Sequence, residues 1–198
     1  MGRLPVDSAT AGRRDSGGWG VRVASAEQFA EIRRLLHAAY ADYRAAVDPQ
    51  LFRVYLADVT GVTSDVVQGG AIPLVALDGG TIVGTARVFP HPQGLRLPDG
   101  AAYVRGVAVR PGREGEGIAA ALMAACAERA RAGGATSVHL HTTPFMTRAI
   151  HLYERLGYRR DPGLDTDSHE HYGLAVEPRL HALALRLDLT GPRRPPSA

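Results

Sequence analysis

The 198-residue chain is 45% hydrophobic and balances 23 arginines, with no lysine, against 20 acidic residues, a composition that suits one globular domain with a full core. Its net charge of +3 belongs to the ends, with three arginines against two aspartates in residues 1–20 and two arginines in 191–198, which argues against a nucleic-acid-binding face. No apolar run approaches the roughly 18 residues of a membrane span, no export signal follows Arg13-Arg14, and the lone Cys126 excludes an internal disulfide, so a reducing cytoplasm is the expected setting.

Residues 1–18 are rich in Gly, Ser, Asp and Arg without periodicity and are expected to form a disordered leader. The domain, 19–190, opens with a short strand at Val21. Ser25 and Gln28 then make a capping box, and Ile32, Leu35, Leu36, Ala39 and Tyr40 repeat at helical spacing. Asp48-Pro49 starts a second helix, pairing a cap with a proline in the first turn. From Ile72 to Phe89 two apolar runs joined by an Asp-Gly turn predict a hairpin. Tyr103 to Val109 predicts another strand. A helix follows over Gly117–Ala132, with Ile118, Ala121, Leu122, Ala125 and Cys126 on one face and Gly133-Gly134 as its stop. A strand from Thr136 and a helix ending at Leu156–Gly157 come next. Two last strands, after Tyr158 and from His181, precede a Pro-rich tail over 191–198. The order βααβββαβαββ predicts an α/β fold, a mixed sheet with one parallel crossover and helices on both faces.

The stretch Gly112–Met123, GREGEGIAAALM, places three glycines between a strand and a strong helix, a ready anion site of bare backbone and helix dipole. A P-loop fails because no Gly-Lys-Ser/Thr follows. The dinucleotide fingerprint fits at Gly115, Gly117 and Ala120, but 133–147 lacks the acidic residue that should hold the ribose. Alternatively the glycines merely shape a tight turn. A third pattern, Gln/Arg-x-x-Gly-x-Gly/Ala after a strand and a V-x-P turn, is met by Glu114, Gly117 and Ala119. A second segment, AIHLYERLGYRR from Ala149, follows at the usual separation. With both motifs in order, the chain resembles the GNAT acetyltransferase superfamily over about residues 20–190.

That resemblance implies a mostly antiparallel central sheet with a splayed parallel strand pair holding acetyl-CoA. Val107 and Val109 would pair with the pantetheine arm, and an N–H around Val107–Ala108 would serve the thioester oxygen. Backbone of Gly115, Glu116, Gly117, Ile118, Ala119 and Ala120 would receive the pyrophosphate, with Glu114 at the Gln/Arg position. Tyr153 would be the general acid in a direct attack by an amine, without an acyl-enzyme, and Cys126 would be core. The general base is open. Many members carry a glutamate where this chain has Tyr103, with Arg105 beyond it. His139 and His141, on one face of their strand, could relay protons or be plain edge residues, and Asp42, Asp99 and Glu170 are no better supported.

Two departures stand out. Glu114 and Glu116 would oppose a pyrophosphate unless they turn to solvent or Arg113 swings in as the missing cation. Met146 stands where many members have asparagine. The first two helices and the loop Asp165–His171 would line the acceptor pocket. Asp42, Asp48, Asp165, Asp167 and Glu170 there hint at a cationic acceptor, and no metal is expected at His169 and His171. The expected partner is a small-molecule or protein amine, with a homodimer allowed and neither nucleic acid nor membrane. The competing reading is a non-catalytic CoA-binding module with the same fold.

Overall fold

Two largely apolar runs, buried on both faces, make β2 (Ile72–Asp78) and β3 (Thr81–Phe89) an antiparallel hairpin, with Gly79 and Gly80 in its turn. The computed structural model describes residues 18–174 and 179–191. The leader expected over 1–18 therefore lies, but for Gly18, outside the described residues, and so does the tail from 192. On one side of the hairpin β1 (Trp19–Val23) pairs antiparallel with β2, and on the other β4 (Ala101–Val109) pairs antiparallel with β3. Beyond them come β5 (Ser137–Thr142), β8 (His181–Asp188) and the two-residue β6 (Arg159–Arg160), giving the order β1-β2-β3-β4-β5-β8-β6. Only β4 and β5 run parallel among the described residues. Among the described residues no helix is long and apolar enough to cross a membrane.

Helices cover both faces, as the element order predicts. On one, α4 (Ile118–Ala132) and α5 (Thr147–Arg155) bury Ile118, Leu122, Cys126 and Tyr153 against Ala86, Val88, Val104 and Leu140. On the other, α1 (Phe29–Tyr40) buries Ile32, Leu35 and Leu36 against Val75, Ile82 and Ala108. Strand neighbours such as Val75 and Ala76 thus serve opposite cores, as a pleat of period two requires. The Ser25 cap is present, its N–H donating to Gln28 Oε1 at 3.1 Å, although the first turn is 3₁₀. Asp48 Oδ1 accepts from Gln50 and Leu51 N–H at 2.8 and 3.1 Å and starts α2 (Pro49–Val59).

Three elements differ from expectation. A short helix, α3 (Val62–Val67), is rich in β-branched residues and has no apolar repeat; Asp65, ion-paired to Arg87 on β3, ties it to the sheet. The expected loop Asp165–His171 folds into β7 (Thr166–Asp167), which pairs with β8, and α6 (Ser168–Tyr172). The strand after Tyr158 stops at Arg160, ahead of Asp161-Pro162-Gly163.

Gly84 sets how closely α4 approaches. A Cβ there would stand 2.6 Å from Ile118 Cγ2 and 3.0 Å from Leu122 Cδ1, both deep in the core. Gly84→Val is expected to lower stability by about 1–3 kcal/mol through overpacking, seen as a lower urea midpoint at unchanged slope.

Candidate functional site

The parallel pair is short. Ala101, Ala102 and Tyr103 pair with Ser137, Val138 and His139; from Val104 onward β4 has no strand on that side, while β5 continues to pair with β8 up to Thr142. The gap opens into a cavity of about 600 Å³. Val104, Gly106 and Val107 of β4 line one wall, and Leu140, Thr142 and Thr143 line another. Of the expected site residues, Val107, Met146 and Tyr153 meet at this cavity, as do Tyr103, Arg105 and His141. Ala108 and Val109 do not line it: Ala108 is buried under α1, and Val109 packs against the α4 side.

Residues 114–120 do not line the cavity either, but follow directly from the end of β4. Gly112, Gly115 and Gly117 all have φ between 81° and 86°, and nothing lies within 4 Å of where their Cβ atoms would be. The loop thus exposes bare backbone at the N-terminus of a 15-residue helix. Ile118 is anchored in the core beneath it.

The two glutamates are tied into the loop itself. Glu114 Oε2 accepts from Gly112 N–H at 2.8 Å. Glu116 holds Arg113 in a fork, Nε to Oε1 at 2.5 Å and Nη2 to Oε2 at 2.8 Å, and Asp78 Oδ2 takes Arg113 Nη2 at 3.0 Å. Arg113 therefore does not stand over the loop as a free cation; two carboxylates hold it, and its hydrogen bonds to Glu116 pull that carboxyl below its ordinary range. What the loop can offer an anion is therefore its backbone N–H groups.

Tyr153 is 7% exposed, with its ring 5.8 Å from that of Tyr158, and has no hydrogen bond among the described residues. Burial pushes its phenol well above the ordinary tyrosine range, so it is a fully protonated donor at neutral pH. Cys126 is buried in the α4 core, away from the cavity, and burial raises its thiol to about 12.

The two histidines of β5 share a face but not a fate. His139 is sealed at 1% exposure against Ser137, its Nε2 3.1 Å from Ser137 Oγ. His141 lines the cavity. Its Nε2 lies 2.9 Å from the Leu164 carbonyl, which can only accept, so Nε2 carries the proton. Nδ1 is then a lone pair facing the Tyr103 hydroxyl at 3.1 Å. Burial, with His171 and Arg160 nearby, lowers His141 below 6.5 against the opposing pull of Leu164 and Asp165. Burial likewise raises Tyr103 to about 12. The pair is an ordered hydrogen-bond chain ending at the cavity.

From the cavity wall into the core between α2, α3 and the sheet runs an ionic cluster that no local pattern announces. Arg105 Nη2 meets Asp58 Oδ2 at 2.5 Å, and the Tyr172 hydroxyl donates to the same oxygen at 3.1 Å. Arg87, fully buried, stands 2.9 Å from Asp65 as an ion pair rather than an aligned hydrogen bond, and its Nη2 donates to the Val59 carbonyl at 2.5 Å. Burial pulls Arg87 down to about 10, still charged at neutral pH. Gly106, at φ +62°, sits where the β3–β4 register shifts, and a Cβ there would be 2.5 Å from Arg87 Nη2.

The acids expected to greet a cation are elsewhere or already paired. Asp48 caps α2, Asp165 pairs with Arg160 at 2.6 Å and Asp167 with Arg179 at 3.3 Å. Asp42 is exposed and off the cavity, and Glu170 lies in α6; Asp99, a candidate only for the general base, is also exposed and off the cavity.

A model of the acetyltransferase (GNAT) family matches residues 30–158. No curated protein matches the chain. Among solved structures, the Salmonella typhimurium protein yncA with its cofactor acetyl-CoA has a TM-score of 0.60 at 19% identity, over 91% of this chain and 99% of its own. PaiA N-acetyltransferase from Thermoplasma acidophilum, in complex with coenzyme A, gives 0.61 at 10% identity over 84% and 97%. The ribosomal-protein-S18-alanine N-acetyltransferase of Escherichia coli gives 0.60 at 16% identity over 89% and 97%. At these identities the likeness is one of fold.

Proposed function

This chain belongs to the acetyltransferase (GNAT) family, and from that premise we propose that it moves the acetyl group of acetyl-CoA directly to a primary amine of a small molecule or protein. One observation carries the reading: β4 and β5 part after three residue pairs, leaving an unpaired stretch of β4 that shares a cavity with Tyr153 and leads, past the strand's end, into the open glycine loop. A pantetheine arm fits the unpaired side of β4 near Val107, and a pyrophosphate fits the bare N–H groups of Gly115 to Ala120. Acetyl-CoA supplies an activated thioester.

The chain's own residues then have two proton tasks. At pH 7 an amine with a pKa of about 10.4 is neutral only about once in 2,500 molecules. The Tyr103 hydroxyl can take its proton while passing its own to His141 Nδ1; the imidazolium so formed keeps Nε2–H on Leu164. Tyr153 gives a proton to the departing sulfur, and the second amine proton restores it. The balance is one proton released per acetyl group transferred from an ammonium.

Calorimetric titration with acetyl-CoA tests the reading: micromolar binding is expected, and no heat up to millimolar ligand would sink it. The glutamates give a companion test. Glu116→Gln unfastens one hold on Arg113 and is expected to tighten acetyl-CoA binding about two- to fivefold, an effect that fades in high salt.

A further inference from the structure

Resting on that reading, we propose that the acceptor is a monoamine with an aromatic or otherwise apolar body, and that polyamines and lysine-rich chains are poor acceptors. Much of the cavity wall is built of rings. Tyr40 and Tyr55 stand 5.8 Å apart on α1 and α2, Tyr103 faces His141 at 5.8 Å, and Tyr172 closes the wall from α6. The hydroxyls of Tyr103 and Tyr172 are already engaged, with His141 and with Asp58, so the rings present their faces and edges to a ligand. Val59, Leu164 and Leu180 add aliphatic surface.

The charges point the same way. Among the described residues three carboxylates line the cavity, Asp58, Asp165 and Asp167, and each is held by an arginine: Arg105, Arg160 and Arg179. Arg96, exposed at the rim, adds a further positive charge. One incoming ammonium can rest against tyrosine faces until Tyr103 and His141 deprotonate it. A second ammonium would shed water to meet, among the described residues, only carboxylates that an arginine already holds, and would pass Arg96 as it entered. The cavity also has to hold the reactive end of the donor within its 600 Å³, which leaves room for a compact acceptor.

The test is calorimetric titration of the CoA-saturated protein with 2-phenylethylamine, spermidine and an unstructured peptide containing several lysines. Phenylethylamine is expected to bind about tenfold or more tightly than either polycation, and Tyr55→Leu should weaken it about fivefold at unchanged CoA affinity. If CoA binds but phenylethylamine gives no heat, or a polycation binds as tightly, the acceptor class proposed here is wrong while the transferase reading stands. Failure of CoA itself to bind would overturn both. The ligand comparison needs no variant, so it remains decisive even if Tyr55→Leu does not fold.

Discussion

Tyr153→Phe is expected to turn over about 10²-fold more slowly, with acetyl-CoA affinity changed by less than about twofold. The ring fills the same space between α5 and the sheet, so packing against Tyr158 survives and only the hydroxyl is lost. The effect belongs at the lower end of the general-acid range. A buried phenol lies above a thiol of pKa about 8.5, so the proton crosses only as the carbon–sulfur bond breaks and the phenolate must be reprotonated at once. Steady-state release of CoA thiol, measured beside calorimetric affinity, reads both quantities. Unchanged turnover would remove Tyr153 from the acid's role, whereas intact binding with no thiol release even from the parent protein would favour the non-catalytic CoA-binding module.

The second large effect concerns pH. His141→Gln keeps a donor for the Leu164 carbonyl and an acceptor for the Tyr103 hydroxyl, but cannot take a proton. Turnover at pH 7 is expected to fall about 10- to 10²-fold, the deficit shrinking as pH climbs toward the amine's own pKa. The sign follows from the protonation states. Burial lowers His141 below 6.5, so in the parent the neutral, proton-accepting form prevails above that value and activity declines as pH drops through the lowered pKa. The variant should lose that acid limb. A merely structural His141 would leave the limb in place.

Much of this site is written locally in the sequence. The glycine loop, the α4 stripe and the segment around Tyr153 are short-range patterns, and the elements they announce are where they were expected. What escaped is held by contacts between distant residues. The ring of Tyr103 finds His141 across 38 positions, and Tyr172 reaches Asp58 across 114. Nothing near Asp65 hints that it will neutralise an arginine on β3, and α3 went unseen for the same reason. The acidic residues of 165–167 look like an attraction for cations until Arg160 and Arg179 arrive from outside that run. The two glutamates of the loop look hostile to phosphate until the fold shows them clasping Gly112 and Arg113.

The guanidinium of Arg87, lodged under Gly106 and joined to Asp65 and the Val59 carbonyl, also bears on how such a protein can be re-engineered. Helices α2, which lines the acceptor wall, and α3 are both fastened to β3, the neighbour of the strand that would carry the donor, through this one buried guanidinium. Transplanting α2 and α3 from another scaffold to change the acceptor would strand that arginine in the interior unless its carboxylate travels with it. The unit that can be exchanged is therefore the two helices together with Arg87 and the bare backbone at 106, not the helices alone.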